Sequence, residues 1–104
     1  MKVADINFSN YQDGVAARVN FGHINLSIVR HSGSYGGKDG LYEIGVFDES
    51  NEKMIELSGI TAPGDTVKGF LTENDVNDVL DQITTRTGTN PIDITDISVK
   101  SQQN

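Results

Sequence analysis

The sequence predicts an α+β domain: one helix packed on one face of a largely antiparallel sheet of five to six strands. Two observations lead to this class. Only residues 72–88 show the three- and four-residue apolar spacing of an amphipathic helix, whereas the other periodic segments alternate in steps of two. Hairpin-like pairs of alternating segments precede the helix and one more segment follows it, an order typical of α+β domains.

Capping signals place the helix at about residues 73–87. The hydroxyl of Thr72 can accept a first-turn N–H, and Asp75 stands at the third helical position, where a capping box needs an acceptor. Gly88 suits the left-handed residue that ends a helix. The side chains expected to face the sheet are Val76, Val79, Leu80 and Ile83.

The segment from residue 15 to residue 30 predicts a hairpin. Its apolar residues have odd numbers up to Phe21 and even numbers from Ile24 onward, so one straight strand would place them on opposite faces. A two-residue turn at Gly22-His23 removes this conflict, and glycine suits the first turn position. Phe21 then faces Ile24. The alternative is one long strand with a β-bulge at Gly22.

The other segments complete the predicted sheet. A first strand is expected at residues 2–9, followed by a turn over residues 10–14. Further strands are expected at residues 41–47 and 54–58, and an irregular crossover at 59–68 leads into the helix. A C-terminal strand is expected at residues 92–100, with mixed parity that suggests a bulge near Asp96.

A single helix can cover only one face of the sheet. Ala16, Val29 and Phe47 are expected on the other face, either exposed or covered by a second copy of the chain. Because uncovered faces and strand edges favour pairing, the sequence predicts a homodimer.

Length and composition limit the functions to consider. The 104 residues fit a single domain, residues 1–104, and the formal charge of −7 opposes binding to nucleic-acid phosphates. Cysteine is absent, so thiol catalysis and cysteine metal sites are excluded. The N-terminus lacks a signal-peptide core, and no apolar run is long enough to span a membrane. We therefore expect a cytoplasmic protein that binds neither nucleic acid nor membrane.

The glycine-rich loop at residues 33–40 resembles a phosphate-binding loop only in part. Ser32 stands where the first glycine of that motif belongs, and Asp39 replaces the hydroxyl residue that would bind magnesium. The loop also precedes a strand rather than a helix. A flexible connection is the better interpretation, and the sequence leaves open whether the loop binds anything.

The histidines and acidic turns do not form a recognisable site. His23 and His31 are expected at opposite ends of one strand, whereas a catalytic zinc site needs three clustered ligands. Asp48, Glu49 and Glu52 lack the alternating spacing and central glycine of a calcium loop. We therefore expect no catalytic residue, no metal and no cofactor.

The polar face of the helix is the remaining candidate site. Asp75, Asp78 and Asp81 recur every three residues without a lysine at the fourth position to neutralise them. A solvated face explains this pattern most simply, and a surface for a basic protein partner is the functional alternative. The candidate partner-binding residues, here named the acidic ridge, are Asn74, Asp78, Asp81 and Gln82.

The segment GITAPGDTVKGFLTENDVNDVLDQI resembles small accessory proteins encoded by tailed phages and prophages. The resemblance covers about the C-terminal half, contains no functional motif and implies a bacterial cytoplasm and a protein target in the host. The sequence thus favours a small acidic interaction protein without catalytic activity. The alternative is an enzyme or ligand-binding domain whose site is assembled from scattered polar residues.

Overall fold

The computed structural model describes residues 1–96, which form six strands, one α-helix and two 3₁₀ turns. The turns span Val3–Asp5 and Gly37–Asp39. The predicted α+β class and strand number are confirmed. The strands and the helix are β1 (Ser9–Tyr11), β2 (Gly14–Asn20), β3 (Ile24–Arg30), β4 (Tyr42–Asp48), β5 (Val67–Leu71), α1 (Glu73–Thr87) and β6 (Ile92–Asp93).

The strands form one antiparallel sheet in the order β1-β2-β3-β4-β5. β6 joins β2 on the same edge as β1, since β3 occupies the other edge of β2. Beyond β6, the hydroxyl of Thr95 accepts the N–H of Arg18 at 3.0 Å, and the N–H of Ile94 donates to the Arg18 carbonyl at 2.9 Å. The two short strands therefore share the backbone groups of one edge.

The helix α1 begins and ends as the sequence predicts. The Thr72 hydroxyl accepts the N–H of Asp75 at 3.1 Å, and the Asp75 carboxylate accepts the N–H of Thr72 at 2.9 Å. These two bonds form the predicted capping box. Gly88 ends the helix at φ 65°. The apolar stripe that α1 buries against the sheet consists of Val76, Val79, Leu80 and Ile83.

The hairpin between β2 and β3 is also confirmed. Gly22 has φ 85°, and the N–H of Phe21 donates to the carbonyl of Ile24 at 2.8 Å. Val19 lies opposite Leu26 in the register that a two-residue turn requires. The bulged long strand is therefore excluded.

The first predicted strand, at residues 2–9, is wrong over most of its length. The chain instead forms the 3₁₀ turn at Val3, where the N–H of Val3 donates to Oδ1 of Asn77 on the helix at 2.8 Å. Val3 and Ile6 are buried beside α1, three residues apart, so their spacing fits a helical turn. Strand β1 begins only at Ser9, and the predicted turn over residues 10–14 is correspondingly shorter.

The strand predicted at residues 54–58 is wrong as well. Only Met54 bridges to Phe47, and the strand that pairs with β4 beyond this point is β5. β5 begins within the crossover predicted at residues 59–68. The sequence does not reveal β5, because Gly69 interrupts the apolar alternation and Phe70 adopts a positive φ that is irregular for a strand.

The last strand is predicted at residues 92–100, and the described part of this range, residues 92–96, contains only β6. The carboxylate of Asp93 accepts the N–H of Thr95 at 2.9 Å and the N–H of Asn7 at 2.8 Å, and these bonds turn the chain after the strand. Asp96 lies beyond the end of β6, and the predicted strand residues 97–100 lie outside the described part of the chain.

The two faces of the sheet have different surroundings. One face packs against α1, and its fully buried side chains include Val19, Leu26 and Ile44. No helix among residues 1–96 covers the opposite face, here named the open face. Ala16 and Val29 on the open face are half-buried. Over the described residues, one face of the sheet is therefore available for contact.

Candidate functional site

The acidic ridge lies on the solvent side of α1. Asn74, Asp78, Asp81 and Gln82 are all exposed, as the helical spacing predicts. Within residues 1–96, neither Asp78 nor Asp81 accepts a hydrogen bond from another group. Their carboxylates therefore face solvent with their full acceptor capacity. A role in binding a partner stays a prediction.

Asp75 follows the same three-residue spacing but has a structural role. Hydrogen bonds from the backbone N–H and the hydroxyl of Thr72 lower the pKa of Asp75 below its ordinary value of 3.8. Its charge also lies at the positive end of the helix dipole. Asp75 therefore caps the helix, and Asp78 and Asp81 are the two carboxylates left for a partner.

A groove of about 350 Å³ separates α1 from β5 and is here named the helix groove. Asp78 and Gln82 line its helix side, and Lys68 and Phe70 line its strand side, with the buried Ile60 among its apolar walls. Two residues of the acidic ridge thus border a groove with a mixed polar and apolar lining. The sequence did not predict this groove, because it depends on strand β5.

Phe70 has an unusual backbone and an unusual exposure. Its φ is 58°, in the left-handed region that large side chains rarely adopt, and 61% of the residue is exposed. The N–H of Phe70 donates to the Tyr35 carbonyl at 3.1 Å, and a Cβ on neighbouring Gly69 would lie 2.2 Å from Cβ of Tyr35. The close approach of these two segments holds an aromatic ring out in solvent beside the acidic ridge.

A second groove, of about 370 Å³, lies on the open face. Its floor consists of small residues in adjacent strands, including Ala16, Ser27 and Gly45. Tyr11 and Met54, which are 41% and 43% exposed, stand among its walls. This groove is therefore a shallow trough across the strands, with apolar side chains raised at its margins.

Two opposite charges occupy the open face. The guanidinium carbon of Arg18 lies 4.2 Å from the centre of the Phe47 ring, a cation–π contact that fixes the arginine over the face. The Glu43 carboxylate accepts the N–H of Tyr35 at 2.8 Å. Both charged groups are therefore held in place, and both line the trough.

The histidines and the glycine-rich loop do not meet at a common site. His23 is exposed in the turn between β2 and β3. His31 lies at the other end of β3, where its Nδ1 accepts the N–H of Gly33 at 3.1 Å and its ring contacts Tyr11. Over residues 1–96, no three side chains of histidine, cysteine, aspartate or glutamate lie together in a way that could hold a metal ion.

Comparison with protein-family models, curated proteins and solved structures yields no match. In the part of the chain that the structure describes, no helix has both the length and the apolar character needed to cross a bilayer. The acidic ridge, the helix groove and the open face are the surfaces of the described chain from which we infer a function.

Proposed function

We propose that this chain is a small protein-interaction protein without catalytic activity, which binds a basic protein partner through the acidic ridge and the adjoining helix groove. One observation carries the proposal. Asp78 borders a groove whose other side carries Phe70, a large apolar side chain exposed on a left-handed backbone. Strained backbone conformations of this kind are concentrated at functional sites.

The two features have complementary roles in binding. Asp78 and Asp81 attract a basic surface and raise the association rate, an effect that salt weakens. Phe70 supplies an apolar anchor, since aromatic side chains are enriched in the centres of interfaces. The partner that fits is therefore a protein surface with lysine or arginine around an apolar pocket.

The proposal also covers cellular context and assembly. A bacterial or prophage origin and a host protein target follow from the resemblance of the segment ending in α1. A cytoplasmic location agrees with the lack of cysteine in the chain. We further propose a homodimer, because the open face exposes apolar side chains and has no helix over it within residues 1–96.

A ligand-binding or catalytic domain is the second candidate function. The observation in its favour is the trough on the open face, where Arg18, Glu43 and His31 supply polar groups. However, the trough is open, and its polar groups do not converge on one point as those of small-molecule sites do. Chemical-shift mapping with a fragment library would support this candidate if the shifts clustered around the trough.

Affinity capture from bacterial lysate tests the proposed function. The bait is the wild-type chain, and the test variant is Asp78→Lys with Asp81→Lys. The matched control is Glu49→Lys with Glu52→Lys, which makes the same charge change at exposed positions in the turn after β4. A protein captured by the wild type and the control but lost with the test variant supports the proposal. Equal capture by all three contradicts it.

A further inference from the structure

Within residues 1–96, the trough on the open face is lined by one arginine and one glutamate, Arg18 and Glu43, on strands at its opposite sides. We propose that two copies of this chain pack through their open faces and that Arg18 of each copy pairs with Glu43 of the partner subunit. This inference deepens the proposed homodimer and uses no residue of the acidic ridge.

The register of the sheet gives the positions of the two charges. Arg18, Ser27 and Gly45 lie side by side on β2, β3 and β4, and the next row along the strands contains Val29 and Glu43. Arg18 and Glu43 are thus two strands and two residues apart, which separates their Cα atoms by about 12 Å. The Arg18 guanidinium stacks on Phe47, and Phe47 and Glu43 lie on opposite sides of Gly45 along β4. This contact directs the guanidinium away from Glu43 of its own chain.

Two-fold symmetry brings the charges together in pairs. If a two-fold axis in the plane between the two faces passes midway between the Arg18 guanidinium and the Glu43 carboxylate, and runs perpendicular to the line that joins them, each arginine lies over the glutamate of the other copy. The contact then forms twice, and no like charges among these four groups oppose each other.

The local contacts prepare both side chains for this pairing. Stacking on Phe47 holds the Arg18 guanidinium flat and leaves its N–H donors available for a bidentate carboxylate. One Glu43 oxygen accepts the N–H of Tyr35, which orients the carboxylate and leaves lone pairs free. Each side chain is therefore ordered before the copies meet, which reduces the entropy lost on association.

The floor of the trough consists of small residues, and the terminal methyl of Met54 lies over one of them, since a Cβ on Gly45 would be 3.1 Å from that methyl. Met54 is 43% exposed, and this methyl is the free end of a flexible side chain, so it moves aside when a second face approaches. Tyr11 also lines the trough and is partly exposed. Apolar burial between the two faces supplies the attraction, and the charge pairs set the register.

The size of the face indicates a weak dimer. Strands β1 to β5 hold 3, 7, 7, 7 and 5 residues. At about 3.4 Å along and 4.8 Å across the sheet for each residue, the face offers roughly 470 Å² per copy. Specific interfaces bury about 600–1,000 Å² per partner. The expected dissociation constant is therefore in the micromolar range rather than the nanomolar range.

Sedimentation equilibrium with paired charge variants tests this interface. Wild type should dimerise, whereas Arg18→Glu and Glu43→Arg should each weaken the dimer by roughly ten-fold or more, because like charges then face each other. An equimolar mixture of the two variants should restore dimers, because each pair in the mixed dimer again has opposite charges. Lys2→Glu and Glu49→Arg are matched controls, since both are exposed and lie outside the trough.

Circular dichroism establishes that each variant is folded. If Glu43→Arg fails to fold, Glu43→Gln replaces it in the test. This variant keeps an acceptor for the Tyr35 N–H but removes the charge, so it should also weaken the dimer. A wild type that stays monomeric at high micromolar concentration would overturn the inference. So would variants that dimerise like wild type, or a mixture of folded variants that stays monomeric. None of these outcomes bears on lysate capture through the acidic ridge.

Discussion

The left-handed backbone at Phe70 predicts that glycine at this position is more stabilising than alanine, the reverse of the order at an ordinary strand position. A positive φ costs a non-glycine residue about 1–2 kcal/mol, and glycine avoids this cost. Glycine loses about 0.5–1 kcal/mol more than alanine when the backbone is ordered. The difference between these ranges leaves Phe70→Gly more stable than Phe70→Ala by about 0–1.5 kcal/mol, with a central value of about 0.75 kcal/mol. Both variants lose the ring, so its contacts cancel in the comparison.

Urea denaturation of both variants measures this difference. Lys68 is the matched control, because it lies in the same strand, is exposed and does not have a positive φ. At Lys68 the order should reverse, with alanine more stable than glycine by about 0.5–1 kcal/mol. If Phe70→Ala were at least as stable as Phe70→Gly, the assignment of a left-handed backbone conformation to residue 70 would be wrong. The backbone strain at Phe70 would then no longer support a functional role for this residue.

Three further predictions concern the helix and the charged turns. Leu80→Ala should lower the free energy of unfolding by about 2–5 kcal/mol, because Leu80 is fully buried, whereas exposed Asp81→Ala should change it by less than about 0.5 kcal/mol. Thr72→Ala should cost about 1 kcal/mol by removing the helix cap. Hydrogen bonds hold the pKa of four carboxyl groups below the ordinary value of 3.8, namely Asp13, Asp48, Asp75 and Asp93. The stability that these groups contribute is complete above the unfolded-state pKa and is lost as the pH falls through the folded-state values. Denaturation at a series of acidic pH values measures this loss.

The four carboxyl groups do not have the same surroundings. Side-chain and backbone hydrogen bonds from Ser32 lower the pKa of Asp13, and corresponding bonds from Ser50 lower that of Asp48. Burial alone would raise the pKa of Asp93, but hydrogen bonds from Thr95 and the N–H of Asn7 outweigh it. Asp93→Asn should therefore reduce the acid sensitivity and also weaken the connection between β6 and the N-terminal segment.

The elements that the sequence predicts correctly are those specified by neighbouring residues. The capping box of α1 involves residues three apart, and the β2–β3 turn needs only Gly22 and the parity of its flanks. In both cases the local preference agrees with the tertiary structure. The bounds of the helix and the register of the hairpin follow directly.

The elements that the sequence misplaces depend on distant contacts. β5 exists because β4 offers it a free edge, and its own residues Gly69 and Phe70 disfavour a regular strand. The segment at Val3 alternates like a strand but bonds to Asn77, which is 74 positions away in the chain. A periodicity of two cannot reveal either contact, because each joins residues that are far apart in the sequence.

The candidate site could be predicted only in part for the same reason. Helical spacing is sufficient to place Asp78 and Asp81 in solvent, and the structure confirms their exposure. The helix groove forms because β5 lies beside α1, and the sequence did not predict β5. Phe70 could therefore not be recognised from the sequence as a residue that lines this groove. Arg18 and Glu43 lie on one surface because of the register of β2, β3 and β4. Their shared location could not be predicted without that register.

The rate of association between this chain and a captured partner tests the central proposal most directly. Surface plasmon resonance would compare wild type with Asp78→Lys/Asp81→Lys and with the matched control Glu49→Lys/Glu52→Lys over a range of salt concentrations. The account predicts a strongly reduced association rate for the ridge variant alone at low salt, with the difference fading above about 0.15 M salt. Equal rates for all three folded proteins at low salt would assign the acidic ridge to solubility and contradict the account.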